Sequence, residues 1–519
     1  MMEQVATRIQ ARTLVEVLQA RAALHPEKRC SVFLEDGLEV DVYTYADLDR
    51  KARAVAAALL RYSSPGESAL LLLPPGLSFM AAFFGCLYAG VTAVPTYPPT
   101  GVRSNARIEA VVRDAGAVAV ITTADMRDRL QRRLSGDSPL HQLTWLTIEA
   151  IDAQAPEAVK VSPPDPDGIA FLQFTSGSTS APKGVMISHA NLMANLDLMF
   201  LYVPLPASST NVCWLPVYHD MGLIGHVLYS VFCGTTLAMM SPTAFLQRPF
   251  LWLQAMSRYK SVASGGPNFA YDLCLRKISA EERTTLDLSH WRRALNGAEP
   301  VRYGTVRRFV ETFAPHGFRE DALWPCYGLA EATLFVSAAP AVPPEAFVRV
   351  SAPALGEHRL ELVPDGAADA RMLVSSGVAR GDQQVLIVDP DRLTPLPDGA
   401  VGEIWVQAPG VGQGYWNQPE ATERTFRAHL ASGEGPFMRT GDLGSFRDGQ
   451  LFVTGRQKDM MIIRGRNLYP QDVERTLEDS HPAIEPSCVA AFSMEVEGEE
   501  RLVAAAEVNR RFRLHRAIQ

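Results

Sequence analysis

From Leu172 to Gly184 the chain reads Leu-Gln-Phe-Thr-Ser-Gly-Ser-Thr-Ser-Ala-Pro-Lys-Gly, an apolar, strand-like start followed by hydroxyls, a glycine and a lysine. Such a segment suits the phosphates of a nucleotide. Gly177 lets backbone N–H groups come close to an anion, Thr175, Ser176, Ser178 and Thr179 add hydroxyl donors, and Lys183 supplies compensating charge. The spacing is not that of a Walker A loop, because Lys183 is followed by Gly184 and the second glycine of G-x-x-x-x-G-K-[ST] is missing. Kinase and P-loop ATPase chemistry therefore fits poorly.

Four more segments carry functional groups. Asn296-Gly-Ala-Glu-Pro300 follows an expected strand and so falls at a strand's carboxyl end, where open α/β sheets bind ligands; alone, it also reads as an ordinary Gly/Pro turn. In Cys326-Tyr-Gly-Leu-Ala-Glu-Ala-Thr333, Tyr327 offers a flat face to a base and Gly328 allows close approach. Glu331 offers Mg²⁺ a hard oxygen, or equally serves as a carboxylate at a helix N-terminus. In Arg439-Thr-Gly-Asp-Leu-Gly444, Asp442 can accept both hydroxyls of a ribose, and Arg456 of Gly455-Arg-Gln-Lys-Asp459 can donate to the same sugar. Each match alone is weak. The five in this order are not.

The elements that must position these groups alternate short apolar runs with helix-length segments over roughly the first 335 residues, the pattern of an α/β protein with parallel strands. Strands are expected at Ser68–Leu73, Ala117–Thr122, Leu143–Ile148, Ile169–Phe174, Asn211–Leu215, Thr236–Met240, Ser261–Ala263 and Arg293–Asn296. Thr13 and Glu16 have capping-box spacing for the first helix. From Ser68 to Val102 there is no charged residue, yet Pro74, Pro75, Gly76, Gly90 and Pro95 interrupt the stretch. A buried strand plus a helix over Leu77–Ala89 fits it better than a membrane span. After Val348 the texture turns to strands between Gly/Pro/Asp turns: His358–Val363, Gln384–Val388, Gly402–Val406 and Gln450–Thr454. Beyond Gly455, Lys458–Arg464 is strand-like, Pro470–Leu477 helical and Leu502–Val508 strand-like.

Composition narrows the class. With 519 residues, 47% hydrophobic and 20% charged, the chain has room for several globular units. A net charge of −8 argues against nucleic-acid binding. Seven cysteines, an odd number with no C-x-x-C pair, imply a reduced, intracellular setting, and no Cys/His spacing suggests a transition metal. The N-terminus has no continuous apolar core of a secretory signal, so a cytoplasmic location is expected. The arginines 510, 511, 513 and 516 read as a solvated tail or as a contact for an acidic partner.

In this order the motifs resemble those of the adenylate-forming superfamily, which includes acyl-CoA synthetases, nonribosomal peptide adenylation domains, luciferases and fatty acyl-AMP ligases. The resemblance covers nearly the whole chain. It implies an α/β adenylate-forming fold: an N-terminal adenylation domain over 1–457 with parallel α/β subdomains and a β-rich subdomain at about 348–457, then a small, partial α+β lid over 458–519. It further implies that a carboxylic acid attacks the α-phosphate of ATP to give an acyl-adenylate and pyrophosphate. By resemblance, Thr175, Ser176, Gly177, Ser178, Thr179 and Lys183 cradle phosphates. Gly297, Ala298, Glu299 and Tyr327 enclose adenine, with Gly328, Leu329 and Ala330 alongside. Glu331 and Thr175 serve Mg²⁺, Asp442 and Arg456 hold ribose, and Lys458 is the hinge of the lid. Lys183, His219 and Glu331 are the expected catalytic residues.

Within the superfamily, Ser180 and Ala330 stand where most relatives carry glycine and threonine, and Pro216-Val-Tyr-His-Asp-Met-Gly-Leu223 resembles the fatty acyl-AMP ligase version. That places His219, Asp220 and Met221 near the acyl-adenylate, although a His-Asp pair can also be structural. The segment 340–372 resembles the insertion of these ligases, which is linked to restricted lid motion, to failure to use coenzyme A and to acyl transfer onto an acyl carrier protein; a tolerated surface insertion is the plain alternative. Phe347, Val350, Leu355, Leu360 and Leu362 make it too apolar for a flexible linker. Met221–Phe232 and Phe269–Leu275 are candidate walls of a fatty-chain tunnel or ordinary core. One departure matters: the family's late P-K-T-x-x-G-K-like lysine is not present before Gln519, so slow adenylation is expected. The leading expectation is a fatty acid–AMP ligase serving a polyketide, peptide or lipid assembly line. A medium- or long-chain acyl-CoA synthetase and a catalytically weak acyl-adenylate-binding scaffold stand as alternatives.

Overall fold

The computed structural model describes residues 9–98, 102–154, 161–175, 182–339, 346–463, 466–496, 499–509 and 512. Two mainly parallel sheets dominate. One has eight strands in the order Phe335–Ala338, Leu323–Gly328, Arg293–Asn296, Ala263–Gly266, Thr210–Cys213, Thr236–Met240, Arg29–Glu35, Leu38–Thr44, antiparallel only at its two ends. The other has six, Thr144–Thr147, Ala117–Thr122, Ser68–Leu72, Thr92–Pro95, Ile169–Phe174 and Gly184–Ser188, antiparallel only at the last pair. Parallel strands need cover on both faces, and Ser68–Leu72 is buried at every position.

The charge-free stretch is resolved by that cover. Leu77–Ala89 is a helix buried at every position except Ser78 and packs with the helix Tyr45–Leu59. Burying each side chain such as Phe83 or Phe84 is worth about 1.5–3 kcal/mol, so the absence of charge follows from core placement. Among the described residues, no helix is long and apolar enough to cross a membrane. The capping box at Thr13 and Glu16 opens the helix Leu14–Leu24.

The later part is antiparallel: Gln384–Val388, Gly402–Gln407, Met438–Arg447 and Gln450–Arg456 form a four-stranded sheet. Phe347–Ser351 pairs separately with Ala370–Val374, and beyond these lie the hairpins Met461–Ile463 with Arg466–Leu468 and Ile484–Val496 with Glu499–Val508. The helix Pro470–Ser480 lies against the second hairpin.

Several expected strands are corrected. The run at Ser261–Ala263 becomes Ala263–Gly266, because parallel pairing with Arg293–Asn296 sets that register, while the Ser261 hydroxyl bonds the carbonyls of Thr210 and Ala263. His358–Val363 alternates like a strand but makes only isolated bridges, from Arg359 to Ala400 and from Leu362 to Val350, and Leu362 is exposed. Lys458 lies in a 3₁₀ turn, Gln457–Asp459, and the strand after it is confined to Met461–Ile463; Arg464 lies outside the described residues.

Gly377 sits at φ +82 where a side chain would collide with the Ala338 carbonyl. Gly377→Ala is expected to destabilise the protein by about 2 kcal/mol or more, adding a left-handed backbone penalty to overpacking. A melting temperature equal to that of the parent would count against this account.

Candidate active site

The parallel strands deliver their carboxyl ends to one cavity of about 1000 Å³. Thr175 follows Ile169–Phe174, Ala298 follows Arg293–Asn296, the Tyr327–Glu331 segment ends Leu323–Gly328, and His219 and Asp220 lie beyond Thr210–Cys213; all line it. The antiparallel sheet contributes Thr440, Gly441, Asp442 and Arg456, and the 3₁₀ turn contributes Lys458. Asp442 and Arg456 are register partners on adjacent strands, which explains their pairing: Arg456 Nε donates to Asp442 Oδ1 at 3.1 Å. The other carboxylate oxygen accepts the Tyr327 hydroxyl at 2.7 Å. Tyr327 thus anchors the carboxylate as well as lining the cavity.

Glu331 is held from a distance in sequence. The loop from Gly412 to Trp416 runs beside Gly184–Ser188 through backbone bonds such as Met186 N–H to the Gly414 carbonyl (2.9 Å) and Trp416 N–H to the Gly184 carbonyl (2.8 Å). That placement brings the Tyr415 hydroxyl to Glu331 Oε1 at 2.7 Å and the Tyr415 ring under Lys183, whose ammonium is 4.6 Å from the ring centroid. Burial raises the Glu331 pKa above the usual carboxylate range; the Tyr415 hydrogen bond opposes the shift, and the charges of Asp220 and Asp442 add to it. Asp442 is raised for the same first reason, burial, against the opposing pull of Arg456 and Tyr327. Two carboxylates are therefore kept in a low-dielectric pocket where a cation or a hydrogen-bond donor would be welcome.

His219 precedes the short helix Asp220–Gly222, with Nδ1 2.8 Å from Asp220 Oδ1. The Met221 N–H also approaches Nδ1, at 3.3 Å, but its shorter bond, 2.6 Å, goes to Asp220 Oδ1. We therefore read Nδ1 as the protonated nitrogen, donating to Asp220. Burial opposes a charged ring, but the charge and hydrogen bond of Asp220 outweigh it and raise the His219 pKa. The imidazole is expected to titrate above about 6.5, its ordinary value. Asp220→Asn removes the raising influence and leaves the burial, so the titration should move down; an unchanged imidazole proton titration by NMR would contradict this pairing.

The remaining candidates divide. Ser176, Gly177, Ser178 and Thr179 lie outside the described residues, as does Ser180. Thr175 is described, and its N–H bonds the Lys183 carbonyl at 3.0 Å, closing the neck of the loop. Gly297 and Glu299 do not line the cavity: a side chain on Gly297 would press on Cys326, and Glu299 accepts the Phe269 N–H at 2.6 Å. Gly328 is glycine because of the Leu334 carbonyl packed against it, so its close approach is to this chain's own backbone. Met221, Leu329 and Ala330 line the cavity.

Sequence reasoning missed three supporting residues. Tyr415 was marked only by a glycine-rich aromatic run, Gly412-Gln-Gly-Tyr-Trp416. Glu403, 2% exposed, bonds Arg439, Trp405 Nε1 and the Gly441 N–H (3.1 Å), fixing the turn that carries Asp442; nothing near it in sequence announced this. Thr440 completes the turn by accepting the Asp442 N–H at 3.0 Å.

Besides the carboxylates, the cavity is lined by Met199, Val203, Leu205, Tyr229, Leu295, Leu334 and Phe335. Part of the expected wall at Met221–Phe232 is there; Phe269–Leu275 is not.

The signature of AMP-binding enzymes matches residues 18–416. The chain is 45% identical over 508 residues to the medium-chain-fatty-acid–[acyl-carrier-protein] ligase JamA of Moorena producens, covering 96% of this chain and 86% of that protein. It is 38% identical to the long-chain-fatty-acid–AMP ligase FadD32 of Mycolicibacterium smegmatis, covering 88% and 75%. The solved structure of a fatty acyl-adenylate ligase from L. pneumophila in complex with acyl adenylate and pyrophosphate superposes with a TM-score of 0.81 at 40% identity, covering 97% of this chain and 87% of that one.

Proposed function

Because the chain belongs to the AMP-binding enzymes and, within them, to the fatty acyl-AMP ligases, we propose that it activates a fatty acid with ATP and passes the acyl group to an acyl carrier protein. The observation that carries the proposal is a cavity lined both by ionisable groups and by a set of apolar side chains. A fatty acid and a nucleotide need that combination: apolar groups to desolvate a hydrocarbon chain, ionisable ones to bind a sugar and phosphates.

In the reaction, an oxygen of the substrate carboxylate forms a bond to the α-phosphorus, the bond from that phosphorus to the bridging oxygen breaks, and pyrophosphate leaves. Asp442 accepts the ribose hydroxyls with Arg456 beside it, and Tyr327 lines the adenine end. Lys183 meets the phosphates. Its contact with the Tyr415 ring is worth about 0.5–2 kcal/mol. A hydrogen bond to a charged partner, about 1.5–3 kcal/mol, can draw the ammonium off the ring. His219, held by Asp220, faces the substrate carboxylate and offers a ring hydrogen-bond donor toward the reacting oxygens.

Mg²⁺ commonly takes one or two protein carboxylates together with substrate phosphates, and Glu331 with the Thr175 hydroxyl is such a donor set. Bound there, it would neutralise charge on the phosphoryl oxygens.

Transfer to a carrier protein rather than to coenzyme A is supported by the packing of 346–373. Val348, Val350, Leu355, Leu360 and Leu373 share one apolar cluster with Leu443 and Phe452 of the antiparallel sheet and with Tyr469. Arg371 pairs with Asp472 at 3.3 Å and bonds the Thr454 carbonyl. Arg302–Glu478 and Arg276–Glu485, each 2.8 Å, add further ties to the segment after Lys458. A lid held in this way is restricted about Lys458. The test is to supply ATP, Mg²⁺ and a fatty-acid series, then either coenzyme A or a phosphopantetheinylated carrier protein. We expect pyrophosphate release, acyl-adenylate that persists with coenzyme A, and thioester only on the carrier. Acyl-CoA formed at a comparable rate would overturn the carrier preference, and no pyrophosphate from any acid would overturn the activity.

A further inference from the structure

Among the described residues, the apolar lining of the cavity includes a polar side chain that an alkyl chain does not explain. His226 lies in a π-helical stretch, Leu223–Leu228, between the short helices Asp220–Gly222 and Tyr229–Cys233. Such defects in a helix often mark functional sites. The residue is 1% exposed and lines the cavity together with Asn211. Its Nδ1 is 3.0 Å from Asn211 Oδ1, while the Asn211 amide nitrogen is engaged 3.1 Å away by the Ser230 hydroxyl. The amide therefore turns its carbonyl to the imidazole, so Nδ1 carries the proton and Nε2 keeps its lone pair. Nε2 is buried and has no hydrogen-bond partner. A buried acceptor left in this state is costly.

We propose that this chamber recognises a hydroxyl on the acyl chain, which donates its hydrogen to His226 Nε2. The proposal rests on the assignment of the chamber to the acyl group. Burial pushes the His226 pKa down to about 4, so the ring is neutral near pH 7 and offers a second carboxylate no charge to pair with. The neighbouring Tyr229 hydroxyl is already committed to the Val203 carbonyl at 2.6 Å, whereas the imidazole Nε2 has no partner. Seven residues separate His226 from His219 along the helical stretch, roughly 10 Å by helical rise, so the hydroxyl belongs well along the chain and away from the reacting carboxylate.

The test compares pairs of acids with equal numbers of heavy atoms, a straight alkanoic acid and the acid with a hydroxyl in place of the terminal methyl, over a series of lengths. The measured quantity is kcat/KM for pyrophosphate release by the full chain. At the fitting length the hydroxylated acid should win by about 10-fold or more, because a site built around a hydroxyl rejects the analogue lacking it. His226→Phe should bring the ratio to one or below, and His226→Gln, which can present a carbonyl acceptor, should retain part of it. Preference for the alkanoic acid at every length, or a ratio unchanged in His226→Phe, would overturn the subsite; it would then follow that water satisfies Nε2. Absence of pyrophosphate with every acid is a failure of the proposed activity instead. In that event the thermal shift given by unreactive acyl-adenylate analogues with and without the hydroxyl reads the subsite alone, equal shifts overturning it.

Discussion

Asp442→Ala is expected to lower kcat/KM for adenylation by about 10²–10³-fold, chiefly by weakening ATP. The size follows from losing the charged acceptor for the ribose hydroxyls, whose hydrogen bonds are worth about 1.5–3 kcal/mol each. Asp442 is 7% exposed, and alanine would leave the Tyr327 hydroxyl and Arg456 to face the nucleotide without the carboxylate that orients them. Stability should suffer less than binding. The Arg456 side chain is 57% exposed, so water can take up its donors, and a partly solvated pair of this kind contributes about 0–1 kcal/mol to folding. Calorimetric ATP binding should therefore weaken sharply in a protein whose melting temperature stays close to that of the parent. Wild-type ATP affinity in Asp442→Ala would remove Asp442 from the ribose site. A matching loss of melting temperature and affinity would make it a fold residue.

The contrast between Asp442 and its support shows what was legible in the sequence. Groups that line the cavity sit in short segments where a glycine, a hydroxyl and a charge crowd into a few residues; Thr175, Tyr327, Glu331, Asp442 and Arg456 could be picked out from that texture. Groups that hold them could not. Tyr415 reaches Glu331 across 84 residues, and Glu403 bonds the 439–441 turn from the neighbouring strand, so their roles exist only after the antiparallel sheet and its loop have docked. The same division runs through the fold. Ala117–Thr122 and Ile169–Phe174 are mostly apolar runs buried on both faces, and Leu77–Ala89 is a helix with apolar residues all round, so each stands out. The hairpin of Arg29–Glu35 and Leu38–Thr44 was missed although its turn, Asp36-Gly37, carries a strong hairpin signal and both residues take positive φ, +49 and +78. Its outer strand leaves Leu38, Val40 and Val42 exposed at the sheet edge, so the apolar pattern that betrays a core strand was absent. Gly184–Ser188 escaped because its first residue closes the Lys-Gly end of a loop and its pairing with Ile169–Phe174 reverses the parallel rule of that sheet.

Glu331→Gln should reduce the rate of pyrophosphate release by about 10²–10³-fold, the range for losing one preorganised electrostatic group at a reacting phosphoryl centre. Glutamine keeps the shape and can still accept the Tyr415 hydroxyl, so the substitution deletes charge while leaving the packing. If Glu331 meets Mg²⁺, the ion concentration needed for half-maximal rate should also rise, whereas the melting temperature should stay close to that of the parent because a buried carboxylate with a raised pKa is not held in its charged form by the fold. The pH dependence supplies an independent check. A carboxylate whose pKa is raised loses its charge earlier as pH falls, so the acid limb of kcat/KM should lie above the ordinary glutamate value of about 4.3. Tyr415→Phe removes the hydrogen bond that opposes this shift, so the limb should move to still higher pH, while Lys183 loses the electron-rich part of its resting site but keeps a ring. A limb that moves to lower pH in Tyr415→Phe, or a Glu331→Gln enzyme as fast as the parent, would mean that this carboxylate is a structural acceptor for Tyr415 and that the charge at the phosphates is supplied elsewhere.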